Sequence, residues 1–154
     1  MDRSIIDRYA AGAALPAQAI AGMTRDELLA RPVAGRWSTQ EVIIHLMDSD
    51  LVGSERMKRV IAMERPLLLG YDENAFTRSL CYDRLDAAVA CEVFAKNREL
   101  TSQVLRALPD EAFRRVGIHS ERGLETLEEL VIGYADHLDH HLRFISEKRK
   151  ALGK

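Results

Sequence analysis

A chain of 154 residues, 47% of them hydrophobic, has material for one core of ordinary size and is expected to form a single domain over 1–154. Its 22 basic and 24 acidic residues give a formal net charge of -2 and are scattered along the length. That argues against a basic face for nucleic acid or anionic lipid, and it favours a small-molecule partner.

Gly and Pro are sparse and no strand-like alternation is sustained, so the expected class is all-α. The first helix begins near Ser4, where Ser4 and Asp7 resemble a weak capping box, and runs to about Gly22 with a kink at Pro16. Thr24 and Glu27 repeat the capping pattern over a short helix ending near Ala30. Ser38 and Glu41 form a clearer capping box that fixes the start of the second long helix, which ends near Met63 ahead of Pro66. Trp37 before the cap and Val42 after it are placed for a hydrophobic staple.

The segment 64–82 carries Pro66, Gly70 and Asn74 and reads as a long connection with room for one helical turn; connections of that length are uncommon unless functional. From Asp83 to Leu108 the apolar positions Leu85, Val89, Val93, Leu100, Val104 and Leu108 recur at helical spacing, giving the third long helix, closed by Pro109. A loop with Gly117, His119 and Gly123 leads to a capping box at Thr126 and Glu129, from which the fourth helix runs to about Lys150. Four long helices make a bundle.

Cys81 and Cys91 are ten positions apart, which is neither a redox pair nor a zinc-ligand spacing, and are read as reduced thiols. The opening MDRSIIDRYAAG has no long apolar region, and no stretch approaches the ~20 apolar residues of a membrane span. The expected location is the cytoplasm.

The histidines carry the chemical signal. On the fourth helix His137 and His141 fall within the stripe formed by Leu127, Leu130, Val131, Tyr134, Leu138 and Ile145, so both imidazoles point inward. Residues four apart have Cβ atoms about 5–6 Å apart, which lets two imidazoles reach one metal ion. A lone HxxxH is as readily a pair of satisfied core residues, and a third ligand is needed to decide. His45 supplies a candidate, on the face of the second helix shared by Val42, Ser49 and Val52.

Three neutral imidazoles suit a divalent ion such as zinc, with open positions left for water. His140 points toward the edge of the stripe and is expected at the surface. His119 is expected as a solvated loop residue, with a place at the mouth of a pocket as the alternative. Asp48, Asp136 and Asp139 are either solvated or placed to orient an imidazole through its second nitrogen. No serine-nucleophile, phosphate-loop, HExxH or paired-cysteine motif is present.

The stretch GRWSTQEVIIHLMDSD around His45, the central YDENAF and the final GIHSERGLETLEELVIGYADHLDHHLRFI resemble the DinB-like superfamily of damage-inducible and YfiT-like proteins. That group is distinct from the similarly named DNA polymerase. The resemblance implies an up-down-down-up four-helix bundle holding nickel, zinc or a similar ion through His45, His137 and His141. It further implies one of two activities: a metal-dependent hydrolase, or a transferase using a low-molecular-weight thiol such as bacillithiol, mycothiol or glutathione.

A bound cation serves either chemistry, because it lowers the pKa of water or of a thiol toward neutrality. No general acid or base stands out beside the ligands. A non-catalytic metal-binding or interaction module is the competing reading, and a purely structural bundle is a third. Relatives are often dimeric, and Leu67, Leu68 and Leu69 are expected to be exposed and available for pairing. If the second and fourth helices are antiparallel neighbours, the site opens near one end of the bundle, walled by Trp37 and by Tyr71 and Phe76 of the long connection.

Overall fold

A computed structural model describes residues 2–154. The first long segment forms as α1 (Ser4–Ala11) and α2 (Leu15–Ala19), separated by a tighter 3₁₀ turn at Gly12–Ala14. Ser4 does not cap α1: its backbone N–H donates to Asp2 at 2.9 Å, and the capping position belongs to Arg3. The break falls just ahead of Pro16, which occupies an early position of α2 where a missing N–H costs nothing.

The three capping boxes form as the sequence predicts, because each needs only residues three apart. Thr24 with Glu27 starts α3 (Arg25–Leu29), and Ser38 with Glu41 starts α4 (Thr39–Ala62). The long connection then contains β1 (Leu67–Leu68) and α5 (Glu73–Ser79), the latter capped by Asp72. Next come α6 (Ala87–Ala107), begun by Asp86, and the hairpin β2 (Val116–His119) and β3 (Gly123–Thr126). Thr126 with Glu129 finally caps α7 (Leu127–Ala151).

The helix directions follow from cross-bonds between them. Arg3 donates to the Arg106 carbonyl and Arg98 to the Tyr9 carbonyl, so α1 and α6 run in opposite senses. Gln40 reaches the Leu85 carbonyl while Ser54 donates to Asn97, so α4 and α6 run together. Arg8 meets Asp136 and Asp139, and Arg149 reaches the Ala19 carbonyl, which makes the first segment and α7 parallel. The result is an up-down-down-up four-helix bundle in which α4 and α7 are antiparallel neighbours.

A three-stranded sheet accompanies the bundle, with β1 parallel to β2 and β2 antiparallel to β3. Sequence periodicity gave no strand, because segments of two to four residues are too short to show alternation. The sheet pairs Leu68 with His119. Leu68 is buried, leaving only Leu67 and Leu69 of that leucine run exposed.

The core lies in two apolar layers. One gathers Ile6, Tyr9, Met57, Val60, Leu105 and Val131, and the other Val42, Ile43, Leu46, Phe94, Leu138 and Ile145. Between them runs a buried polar network. Arg98 is 1% exposed and donates to Asp50 at 2.8 Å, to the Tyr9 carbonyl at 3.2 Å and to the Tyr134 carbonyl at 2.8 Å, while Asn97 donates to Asp50 at 2.8 Å. One ion pair thereby ties the four long segments together.

This network corrects the expected stripe of α6. Leu85, Val89, Val93, Leu100 and Val104 are exposed, while Ala87, Ala90, Cys91, Phe94, Arg98, Thr101, Ser102 and Leu105 face inward. Arg98 can replace a hydrophobic residue on the inner face because partners on the other helices satisfy it, while Ser102 donates to the Glu99 carbonyl of its own helix. Cys81 and Cys91 are free thiols, the first exposed and the second buried. Among the described residues no helix is long and apolar enough to cross a membrane.

Candidate metal centre

Close approach of α4 and α7 sets the geometry of the histidines. Gly53 makes that approach possible, since a Cβ at this position would overlap the ring of Tyr134. Ser38 fixes where α4 begins, and His45 follows two turns later on the face toward α7. The antiparallel run of α7 brings His137 and His141 to the same level.

The three imidazoles meet. Nε2 of His45 lies 3.1 Å from Nε2 of His137, and one nitrogen from each of His45, His137 and His141 can be chosen so that all lie within 4.8 Å of one another. Tetrahedral ligation with bonds of about 2.0–2.1 Å places ligand nitrogens about 3.3 Å apart, so the cluster fits one ion after small adjustments. Nδ1 of His45 and Nδ1 of His141 are buried without a hydrogen-bond partner.

Burial holds all three rings neutral. It lowers His45 to about 3, with His137 adding to the effect, and His137 to about 4, with Arg98 and His140 adding to it. His141 falls to about 2, from burial first and from its histidine neighbours second. Neutral imidazole is the form that ligates a metal. A cluster of three such rings is chemically suited to a divalent cation and poorly suited to an apolar core without one.

Two cavities of about 250 Å³ flank the cluster. The first is lined by His137 together with Ser49, Tyr71, Glu73, His119 and Tyr134. The second is lined by His141 with Trp37, Asn74, Phe144 and Lys148. Trp37 packs into the core beside Val42 and also sets its ring centroid 5.0 Å from that of His45. The long connection does wall the site, through Tyr71, Glu73 and Asn74, while the Phe76 ring backs Tyr71 at 4.6 Å.

His140 is exposed, as expected. His119 is not a solvated loop residue: it ends β2, is 2% exposed and faces the first cavity. Asp48 accepts from the Tyr82 hydroxyl at 2.6 Å, and Asp136 and Asp139 flank Arg8, so these carboxylates are engaged away from the imidazoles.

Sequence reading missed Glu73. Its Oε1 lies 4.0 Å from Nε2 of His45, and burial, with Asp72 second, raises its pKa. The cap of α5 by Asp72 is the local signal that would have marked a helix start there.

Comparison with known proteins agrees with this architecture. The family model of the DinB superfamily matches residues 10–145. The chain is 28% identical over 137 residues to a Bacillus subtilis protein named "Putative metal-dependent hydrolase YfiT", covering 88% of this chain and 77% of that one. A relative of the same description from Oceanobacillus iheyensis is 29% identical over 119 residues, or 76% of this chain and 69% of its own.

The solved structure of the Bacillus subtilis protein is described as "a probable metal-dependent hydrolase with an unusual four-helix bundle topology". It superposes with a TM-score of 0.92 at 26% identity, over 97% of this chain and 86% of that chain. With the family model spanning nearly the whole bundle and the fold matching throughout, this chain belongs to the DinB superfamily.

Proposed function

We propose that His45, His137 and His141 hold one divalent cation, zinc or nickel, and that the chain is a metal-dependent hydrolase of a small molecule. The observation that carries this reading is the convergence of three neutral imidazoles, His45 and His141 buried and His137 half-buried, beside a cavity. The names of the relatives agree with it. Bound there, the cation supplies Lewis acidity that lowers the pKa of a water or thiol toward neutrality.

The chain's own groups do the rest. Three protein ligands leave positions free for nucleophile and substrate, unlike a closed structural site. The Glu73 carboxylate, 4.0 Å from Nε2 of His45, is placed to take the nucleophile's proton and return it to the leaving group. Its raised pKa brings it nearer the range that suits a general base. Trp37 and Phe144 on one side and Tyr71 on the other limit access of bulk water.

A second reading is transfer of a low-molecular-weight thiol, and the two separate cavities favour it. One lies beside His137 and the other beside His141, so two reactants could reach the cluster from separate sides. A non-catalytic metal-binding module is the reading that activity measurements must exclude. Pairing of two chains, if it occurs near β1, falls to Leu67 and Leu69.

The test begins with elemental analysis of protein purified without chelator, then turnover of activated esters and of thiol with electrophile. His45→Ala and His141→Ala are expected to lose most bound metal with helical content intact. His140→Ala is expected to keep it. Stoichiometric metal in both ligand variants would overturn the assignment, and metal-loaded protein inactive on both substrate types would favour the module.

A further inference from the structure

We infer that the cavity beside His137 contains a carboxylate-binding subsite built from Arg56 and His119, which makes the substrate a small molecule that carries one free carboxylate. The inference rests on the histidine cluster as the reaction centre. Two buried arginines make the point by contrast. Arg98 is neutralised by Asp50 at 2.8 Å, whereas Arg56, 5% exposed, donates only to neutral oxygens: the Tyr134 hydroxyl at 2.9 Å and the Leu69 carbonyl.

A guanidinium has five N–H donors, and the Nε–H of Arg56 is buried with no acceptor. A buried cation without a counter-charge is costly, and a ligand anion would relieve that cost. The same residue lines the cavity.

His119 supplies a second unpartnered donor. Its Nδ1 accepts from the Glu121 backbone N–H at 3.2 Å, so in the neutral ring the proton resides on Nε2. That Nε2 is buried without a partner, and burial lowers the ring's pKa, with Arg122 and Arg56 adding to the effect. Arg56 and His119 thus line a cavity that His137 also lines, and each carries one buried N–H without an acceptor.

The acids around this cavity restrict the charge it accepts. Glu125 is paired with Arg122 at 2.7 Å, and Glu129 is tied into the Thr126 cap. Glu73 and Glu121 line the cavity without such a tie. A multiply charged group such as phosphate would meet stronger repulsion there than a single carboxylate, whose one charge Arg56 offsets.

The test uses butyrate, its neutral isostere butyramide, and inorganic phosphate. Each is titrated by ligand-observed NMR into metal-free and metal-loaded protein, with the His119 ¹⁵N resonances followed alongside. Butyrate is expected to bind both forms and shift Nε2 of His119, with butyramide and phosphate much weaker. Arg56→Gln should weaken butyrate by at least about tenfold, the worth of one hydrogen bond to a charged group, without changing metal content.

Should Arg56→Gln fold poorly, His119→Gln takes its place with the same expected direction. Equal binding of butyrate and butyramide, or of butyrate and phosphate, would overturn the proposal. So would butyrate affinity untouched by the folded variant, or binding seen only in the metal-loaded form. Butyrate binding through Arg56 in a protein that takes up no metal would uphold the subsite while refuting the metal reading.

Discussion

Nε2 of His45 and Nε2 of His137 face each other at 3.1 Å across the α4–α7 contact, a separation at which two protonated rings would repel strongly. Burial lowers His45 to about 3, His137 to about 4 and His141 to about 2, against an ordinary value of 6.5. The unfolded chain therefore takes up more protons than the folded one as pH falls below about 6.5. Stability of the metal-free protein is expected to be level above neutrality, as far as these groups decide it, and to fall progressively toward pH 4. Calorimetry at pH 7 and pH 5 checks this, with a shallower dependence expected for His141→Gln; a pH-independent Tm would contradict the shifts.

Gly53 gives a prediction about α4 and α7. A Cβ there would overlap the Tyr134 ring, so Gly53→Ala must move the ring or part the helices, at a cost of about 1–3 kcal/mol. Urea denaturation measures the loss. Reduced metal uptake is expected to accompany it, because the same contact brings His45 to His137. Unchanged stability and uptake would mean the two helices separate freely.

The Asp50–Arg98 pair is buried on both sides. Asp50→Asn leaves the guanidinium without its counter-charge and is expected to cost about 3–5 kcal/mol. Replacing both residues by apolar ones of similar volume is expected to recover much of that loss. A double-mutant cycle in urea would show the coupling, and additive single losses would argue against it.

Tyr71 and Glu73 separate pocket shape from metal binding. Tyr71→Ala is expected to alter substrate preference, and Glu73→Gln to reduce kcat by about 10²–10⁴-fold, the usual contribution of a general base. Both variants should keep their metal, as read by elemental analysis. Loss of the ion from Glu73→Gln would make that carboxylate a fourth ligand instead.

What the sequence determined was local. The boxes at Ser38 and Thr126 were legible because capping joins residues three apart, and the inward pair His137 and His141 because one helical turn joins them. The motifs around His45, His137 and His141 also pointed to the superfamily, and with it to the bundle topology. Arg56 had no such signal, Glu73 was not singled out within YDENAF, and His119 was placed at a pocket only as an alternative: they come from α4, α5 and β2, and converge on one cavity only after the chain folds.

The inner face of α6 was hidden for the same reason. Arg98 and Thr101 are buried while Leu100 and Val104 are exposed, which reverses what hydrophobicity alone would choose. Arg98 occupies the core because Asp50 and the carbonyls of Tyr9 and Tyr134 meet its N–H donors. Periodicity along one helix records a side chain's preference for water, whereas its burial depends on partners that only the tertiary structure brings within hydrogen-bonding distance.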